Sequence, residues 1–315
     1  LGQRHTPIER VGMYAPFGRA AYPSTVLMLA VPARVAGVRE MVLASPPGRD
    51  GKSHPVILAA AKVAGISEVY RVGGAVAMAA LAHGTDSIRG VDKIVGPGNI
   101  YVTLAKKYLY GTVGIDGLYG PSEVVVLADE TVEALTHAAQ IAADLIAQAE
   151  HGADSFVCFI TTSHLLAAAV TSEVESQVEA SGRAAILRQS LAHSLLLCVD
   201  DLHDAIELAN LAAAEHVEIW SRDALAVMPR IKHAGAVFLN TPVPLGDYIA
   251  GPSHTLPTGA TARFAHGIGV ETFLKRTSVI SASRDAVAAL ADDLAVLAEL
   301  EDLPGHAAAV VRAAQ

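Results

Sequence analysis

Gln148 and His151 stand three residues apart in Gln148-Ala149-Glu150-His151, on a stretch that reads as a helix, so both side chains leave from one face. An amide oxygen and an imidazole presented together can grip a metal ion, and imidazole is a common zinc ligand. The same spacing before Gly152 also suits a surface cap at a helix end, and Gln is a poor metal ligand. Both readings stay open on the spacing alone. Glu215-His216 sets an acid beside an imidazole at a helix end, ahead of the strand-like run Val217-Glu218-Ile219-Trp220. Histidine titrates near working pH, with an unperturbed pKa of about 6.5, which suits acid–base work. A solvated helix terminus with His at the negative dipole end is the other reading. The segment from Gly246 to Thr258 sets Asp247, Tyr248 and His254 among prolines and glycines, a composition shaped for function. His306 follows Glu301 in an Ala-rich helical tail and, taken alone, reads as a structural residue.

Helices and strands in series must hold these residues. Ala33-Arg34-Val35-Ala36-Gly37-Val38-Arg39-Glu40-Met41-Val42 is echoed by Ala61-Lys62-Val63-Ala64-Gly65-Ile66-Ser67-Glu68-Val69-Tyr70. Each copy reads as a helix end, a Gly C-cap and a β-branched strand. A third helix around Ala75 to His83 leads to the strand Lys93-Ile94-Val95. Such units predict a parallel sheet whose ligands gather at the strands' carboxyl ends. Those ends carry Pro46-Pro47, Gly73-Gly74 and Gly96-Pro97-Gly98. A second α/β region follows Gly120-Pro121-Ser122-Glu123, with strands expected at Val124–Ala128, Phe156–Thr161, Leu195–Val199 and Ala236–Leu239. A polar loop then runs from Pro242 to Thr261, and a helical tail from Arg284 to Gln315. The tail's thin polar face suits docking on another surface, such as a second subunit. Arg71-Val72-Gly73-Gly74-Ala75-Val76-Ala77 comes nearest to a Gly-x-Gly-x-x-Gly fingerprint and is weak by itself.

Composition narrows the function. Over 315 residues, 52% are hydrophobic, 17% charged and 5% aromatic, which fits a well-buried α/β protein built on Ala, Val, Leu and Ile. A net charge of −9 leaves no basic footprint for nucleic acid. No apolar run is long enough to span a membrane and no leader pattern is visible. Two distant cysteines, Cys158 and Cys198, fit a reduced, cytoplasmic protein with buried thiols better than a disulfide.

Taken together, the segments resemble the histidinol dehydrogenase family along nearly the whole chain. The stretches that carry the resemblance include Val11-Gly12-Met13-Tyr14-Ala15-Pro16, Lys93 to Asn99, Gly114-Ile115-Asp116 and Gly120 to Glu123. Further ones are Gln148 to His151, Ala214-Glu215-His216, Gly246 to Thr258 and Lys275-Arg276-Thr277-Ser278. The resemblance implies two Rossmann-like α/β domains, incomplete and without the usual glycine fingerprint, plus a helical C-terminal dimerisation tail. It divides the chain into a cofactor-side domain at 14–122, a second domain from 1–13 with 123–268 that carries the catalytic residues, and a tail at 269–315 that contacts the partner subunit. It makes Gln148, His151 and Asp247 zinc ligands, with His306 supplied by the partner subunit of a homodimer whose active sites are shared. Glu215 and His216 become the acid–base pair. Ser122, His254 and Glu301, with Gln148, His151, His216, Asp247 and His306, become substrate contacts. Tyr14, Asn99 and the position of Val76 become cofactor contacts.

The reaction so implied takes L-histidinol to L-histidine with two NAD⁺ and one zinc ion per subunit, through a histidinal-level intermediate, in the final steps of histidine biosynthesis. His216 would take the hydroxyl proton and Glu215 would activate water. Three departures stand out. Val76 occupies a position where the family usually has Gln, Phe17-Gly18 replaces a Gly-Gly turn, and the sequence starts near Tyr14-Ala15-Pro16 without the family's helical front segment. The first two keep alive a relative that oxidises another hydroxylated substrate, such as a sulfonated diol. A catalytically degenerate zinc-binding homologue is the remaining alternative.

Overall fold

The computed structural model describes residues 1–17 and 20–314; Gly18 of the Phe17-Gly18 departure, and Gln315 at the end of the expected tail, lie outside the described residues. The chain opens with β1 (Gly2–Pro7), β2 (Arg10–Tyr14), α1 (Pro23–Ala36), β3 (Glu40–Ala44) and α2 (Pro55–Ala64). It continues through β4 (Glu68–Tyr70), α3 (Gly74–His83), β5 (Lys93–Val95), α4 (Ile100–Leu109) and β6 (Gly114–Ile115). Strands β2 to β6 form one parallel sheet in the order β4-β3-β2-β5-β6. The internal repeat is its framework. Helices α1 and α2 end on Gly37 (φ 92°) and Gly65 (φ 79°), left-handed caps whose N–H groups close on Ala33 and Ala61 carbonyls, and each feeds an adjacent strand.

The second half runs β7 (Glu123–Ala128), α5 (Ala134–Ala149), β8 (Phe156–Thr161), α6 (His164–Ala180), α7 (Ala184–Leu191) and β9 (Leu195–Cys198). Then come α8 (Leu202–Ala212), β10 (His216–Trp220), α9 (Ala224–Val227), β11 (Ala236–Leu239) and α10 (Pro244–Tyr248). Its parallel sheet has the order β11-β10-β7-β8-β9. Numbered within each half and read from the matching edge, both sheets have the order 3-2-1-4-5, so both are Rossmann-like. Apolar clusters cover both faces of each sheet, with α1 and α2 opposite α3 and α4 in the first, and α5 and α6 opposite α8 in the second.

The boundaries differ from expectation: residues 1–6 group with the C-terminal unit rather than the second domain, and that unit begins with a strand at Leu274 rather than at residue 269. Residues 10–13 belong to β2, the middle strand of the first sheet, rather than to the second domain. All five residues of β2 are buried, as a central parallel strand requires. Pro7–Phe273 form one compact unit, and Leu1–Thr6 with Leu274–Gln315 form another. In the latter, β1 pairs with β12 (Leu274–Val279), and α11 (Arg284–Leu300) packs along α12 (Pro304–Ala314). The expected single tail is therefore a helical hairpin, turned at Asp302 with φ 54°. Among the described residues, no helix is long and apolar enough to cross a membrane; both cysteines are free thiols, Cys158 buried as expected and Cys198, at the end of the edge strand β9, exposed instead.

Candidate active site

A cleft of about 540 Å³ joins opposite ends of the two sheets. The first sheet contributes the segments after its carboxyl ends, through Pro16, Pro97, Gly98 and Asn99. The second contributes its amino ends, through Ser122, Ser155, Glu215 and His216. Asp247, His151 and His254 complete the polar wall. Most of the residues singled out by type and spacing thus meet in one place.

Gln148 occupies the last turn of α5 and is fully buried; its Nε2 donates to Asp247 Oδ2 at 3.4 Å, and its Oε1 has no partner among the described residues. His151 lies beyond the helix rather than on it, because α5 stops at Ala149 and the chain turns through His151 N–H to Gln148 O at 3.3 Å. Gln148 therefore stays beneath the cleft wall while His151 reaches the cleft, where its Nδ1 is 3.2 Å from Ser122 Oγ. Asp247 sits on the short helix α10, not in a loop as the Gly/Pro content suggested, since Pro244 at the start of that turn favours a helical φ. His254 Nδ1 donates to Asp247 O at 2.7 Å, and its Nε2 lies 3.2 Å from Thr25 Oγ1.

Glu215 and His216 are set by a tight helix-to-strand passage. Helix α8 stops at Ala213 in a left-handed conformation (φ 47°), and His216 opens β10. His216 Nδ1 lies 3.2 Å from Glu123 O; a carbonyl only accepts, so Nδ1 carries the proton and Nε2 faces Asp247 Oδ1 at 3.8 Å as a free base. Burial pushes the imidazole pKa down to about 4, against the pull of Asp247, so the ring is neutral near pH 7. Burial drives Glu215 well above the usual carboxylate range, helped by Asp247 and Glu123 and opposed by hydrogen bonds from Glu123 N–H and Ser122.

On the first sheet's side, Asn99 lines the cleft and caps α4, its Oδ1 accepting from Tyr101 N and Val102 N at 3.1 Å each. The Tyr14 hydroxyl is buried and accepts from Gly74 N at 3.1 Å, which anchors the first N–H of α3. Val76 projects from α3 with 71% exposure and does not line the cleft. Glu301 caps the end of α11 and His306 lies in the first turns of α12. Tyr119 and Glu123 were not singled out from sequence, although each touches the site: Tyr119 lines the cleft, and Glu123 holds His216 through its carbonyl and Glu215 through its N–H. Both belong to the stretch around Gly120-Pro121-Ser122, whose turn signal was the available clue.

Among the described residues, no three His, Cys, Asp or Glu side chains converge as a preformed metal cage. An amide ligand falls outside such a census. The unpartnered buried oxygen of Gln148 beside the Asp247 carboxylate, with the His151 imidazole in the same wall, fits a divalent ion that accepts oxygen and nitrogen donors.

The family model for histidinol dehydrogenase matches residues 1–313. The chain is 51% identical over 313 residues to the histidinol dehydrogenase of a Synechococcus species, covering 98% of this chain and 71% of that protein. It is 50% identical over 313 residues to that of Heliobacterium mobile, covering 98% and 72%. The crystal structure of histidinol dehydrogenase from Elizabethkingia anophelis superposes with a TM-score of 0.95 at 37% identity, over 99% of this chain and 72% of that one. An acetylating aldehyde dehydrogenase from Geobacillus thermoglucosidasius shares the fold alone, with a TM-score of 0.60 at 16% identity over 89% of this chain and 77% of that one.

Proposed function

The chain belongs to the histidinol dehydrogenase family, NAD-dependent oxidoreductases that convert histidinol to histidine, and from that premise we propose that its cleft carries out this oxidation with a zinc ion. The observation that carries the metal assignment is the buried Gln148 oxygen without a partner, next to Asp247. Gln148, His151 and Asp247 would hold the zinc, and His306 from a second copy of the chain would complete it. Ser122, His254 and Glu301 would contact the substrate. When bound, the metal would supply orientation of the substrate's imidazole and amine, and NAD⁺ would supply hydride acceptance, two equivalents for each histidine formed.

The protein's own groups carry the proton traffic. His216 is neutral at working pH, with Nδ1 held by Glu123 O, so Nε2 takes the substrate's hydroxyl proton. Glu215, with its raised pKa, is the stronger base once ionised and removes a proton from the water that adds to the aldehyde-level intermediate. Glu123 fixes both members by main-chain contacts and so keeps their roles distinct.

The test is NADH formation from L-histidinol by the zinc-loaded chain, with two NADH for each histidine formed. Turnover of a sulfonated diol but not of histidinol would overturn the substrate assignment. The shared site is tested by mixing inactive His306→Ala chains with inactive His216→Asn chains and letting subunits exchange. A shared site creates one hybrid site with both wild-type residues, and a fraction of the activity returns. No recovery, in a mixture that native mass spectrometry shows to contain heterodimers, would exclude sharing.

A further inference from the structure

Lys106 and Asp116 form an ion pair buried beneath the turn that leads to Asn99. Each side chain is 1% exposed, and Lys106 Nζ meets Asp116 Oδ1 at 2.5 Å. The partners of this pair are concentrated on one residue, Gly96. Lys106 Nζ donates to Gly96 O at 2.9 Å, and Gly96 N donates to Asp116 Oδ2 at 2.6 Å. Both polar groups of Gly96 are therefore held by opposite ends of one ion pair. Asp116 Oδ1 also accepts from Gly117 N at 2.8 Å, and the ammonium lies 4.7 Å from the centroid of the Tyr119 ring.

The backbone at Gly96 leaves little freedom. Its φ is +118°, and a Cβ there would lie 2.2 Å from Tyr14 O. Gly96 ends the passage from β5, and the next residues, Pro97, Gly98 and Asn99, line the cleft. Lys106 sits seven residues beyond Asn99 on α4, so the ion pair ties the body of that helix back to the turn that opens it. Tyr119, stacked on the ammonium, lines the same cleft. Desolvation offsets most of a buried pair's attraction, so apolar side chains of similar volume could replace the attraction between the two charges. What they could not supply is directional hold on both the N–H and the C=O of Gly96.

We infer that Lys106 and Asp116 are positioning residues for NAD⁺ binding, setting the Gly96–Asn99 turn through both backbone groups of Gly96. The inference rests on the reading of Asn99 as a cofactor contact. The experiment compares wild type, Asn99→Ala, Lys106→Met and the double variant Lys106→Met/Asp116→Leu, each as the full metal-loaded chain. Thermal unfolding reports stability, and calorimetric titration with NAD⁺ reports affinity. The double variant is expected to regain part of the melting temperature lost by Lys106→Met, since no lone buried charge remains although Gly96 and Gly117 lose side-chain partners, yet to bind NAD⁺ roughly 10–100-fold more weakly than wild type, as for a misplaced contact. Recovery of stability and NAD⁺ affinity together would reduce the pair to a folding element and overturn the inference. Unchanged NAD⁺ binding in Asn99→Ala would instead remove the cofactor reading on which it rests. Should the variants fail to fold, hydrogen exchange on the wild-type chain decides: protection of the Gly96 amide comparable to β5 is expected, and exchange at exposed-loop rates would overturn the positioning role.

Discussion

The two parallel sheets share one strand order and are used at opposite ends. In the first, the amino ends are stapled shut: Arg10 reaches Glu40 at 2.6 Å and Glu68 at 2.7 Å, while Asp92 accepts Arg10 N–H at 3.1 Å. Its carboxyl ends open onto the cleft, where such sheets ordinarily bind ligands. In the second, the carboxyl ends close on themselves. Asp129 accepts from Ser221 Oγ and Thr131 Oγ1 at 2.5 Å each, and Asn240 exchanges two hydrogen bonds of 3.0 Å with the Ser221 backbone across β10 and β11. These contacts satisfy the polar groups at the strand-order reversal that would otherwise invite a ligand. The second sheet's amino ends carry Glu215 and His216 instead, with their charged states disfavoured by burial. Topology alone therefore does not fix which end of a sheet becomes a site.

The largest consequence concerns His216. His216→Asn is expected to lower turnover by roughly 10²–10⁴-fold with metal content unchanged, as for loss of a general base. Steady-state rates paired with elemental analysis check it. Metal loss in step with activity would make His216 a ligand and erase the proposed division between the acid–base pair and the metal corner.

The second contrast lies in how the sheets handle buried charge. Glu218, two residues along β10 from His216, is fully buried beside the Asp144 carboxyl, and burial first, then Asp144, raises its pKa to about 10. The folded chain thus keeps a proton that the unfolded chain releases near pH 4.5. Unfolding free energy from this group falls as pH rises between 4.5 and 10, by up to about 1.4 kcal/mol per pH unit. Glu218→Gln should flatten that slope. Denaturation midpoints of the two proteins at pH 5, 7 and 9 measure it, and parallel curves would mean Glu218 folds ionised.

The staple on the first sheet has the opposite sign. Glu68 is held below the ordinary carboxylate range, chiefly by its hydrogen bond from Arg10. Its contribution is present above the unfolded pKa and is lost as pH falls through the folded value, so it weakens only in acid. Arg10→Met is expected to cost about 1–2 kcal/mol at pH 7, discounted because Glu40 and Glu68 are partly exposed, and to leave turnover near wild type. Urea titration and a rate assay check both halves. A large loss of turnover without destabilisation would mean that the sealed end communicates with the cleft.

Much of this arrangement was legible in the residues. Gly37 and Gly65 announced their caps because a left-handed residue after an apolar helix is a local requirement. The strands Lys93–Val95, Phe156–Thr161 and Ala236–Leu239 were visible as short apolar runs, and Glu215-His216 and Gln148 were visible by type. The reversal of sheet ends was not. It depends on which polar groups find partners across 90 or more residues, as Asp129 finds Ser221 and Glu123 finds His216. Lys106 and Asp116 escaped for the same reason, since their common partner Gly96 is adjacent to neither in sequence. The helix under Asp247 was hidden by glycine and proline, which mark turns and first helical turns alike.

The smallest effect tests the open end of the first sheet. Val76 lies in the first turn of α3, two residues after Gly74, whose N–H is held by the Tyr14 hydroxyl. An apolar side chain exposed at 71% next to that anchor contributes no polar contact, at a position where the sequence resemblance implies one. If α3 faces the bound cofactor, Val76→Gln adds one hydrogen bond, and NAD⁺ binding tightens by about 0.5–1.5 kcal/mol, the usual net worth of such a bond. The helix should not object, because Gln is a better helix former than Val and the site is exposed. Titration calorimetry on both proteins resolves a difference of that size, and thermal unfolding without NAD⁺ separates it from any gain in stability. An unchanged dissociation constant would mean that the cofactor reaches Asn99 without touching α3, and the first sheet's share of the site would shrink to the turn held by Lys106 and Asp116.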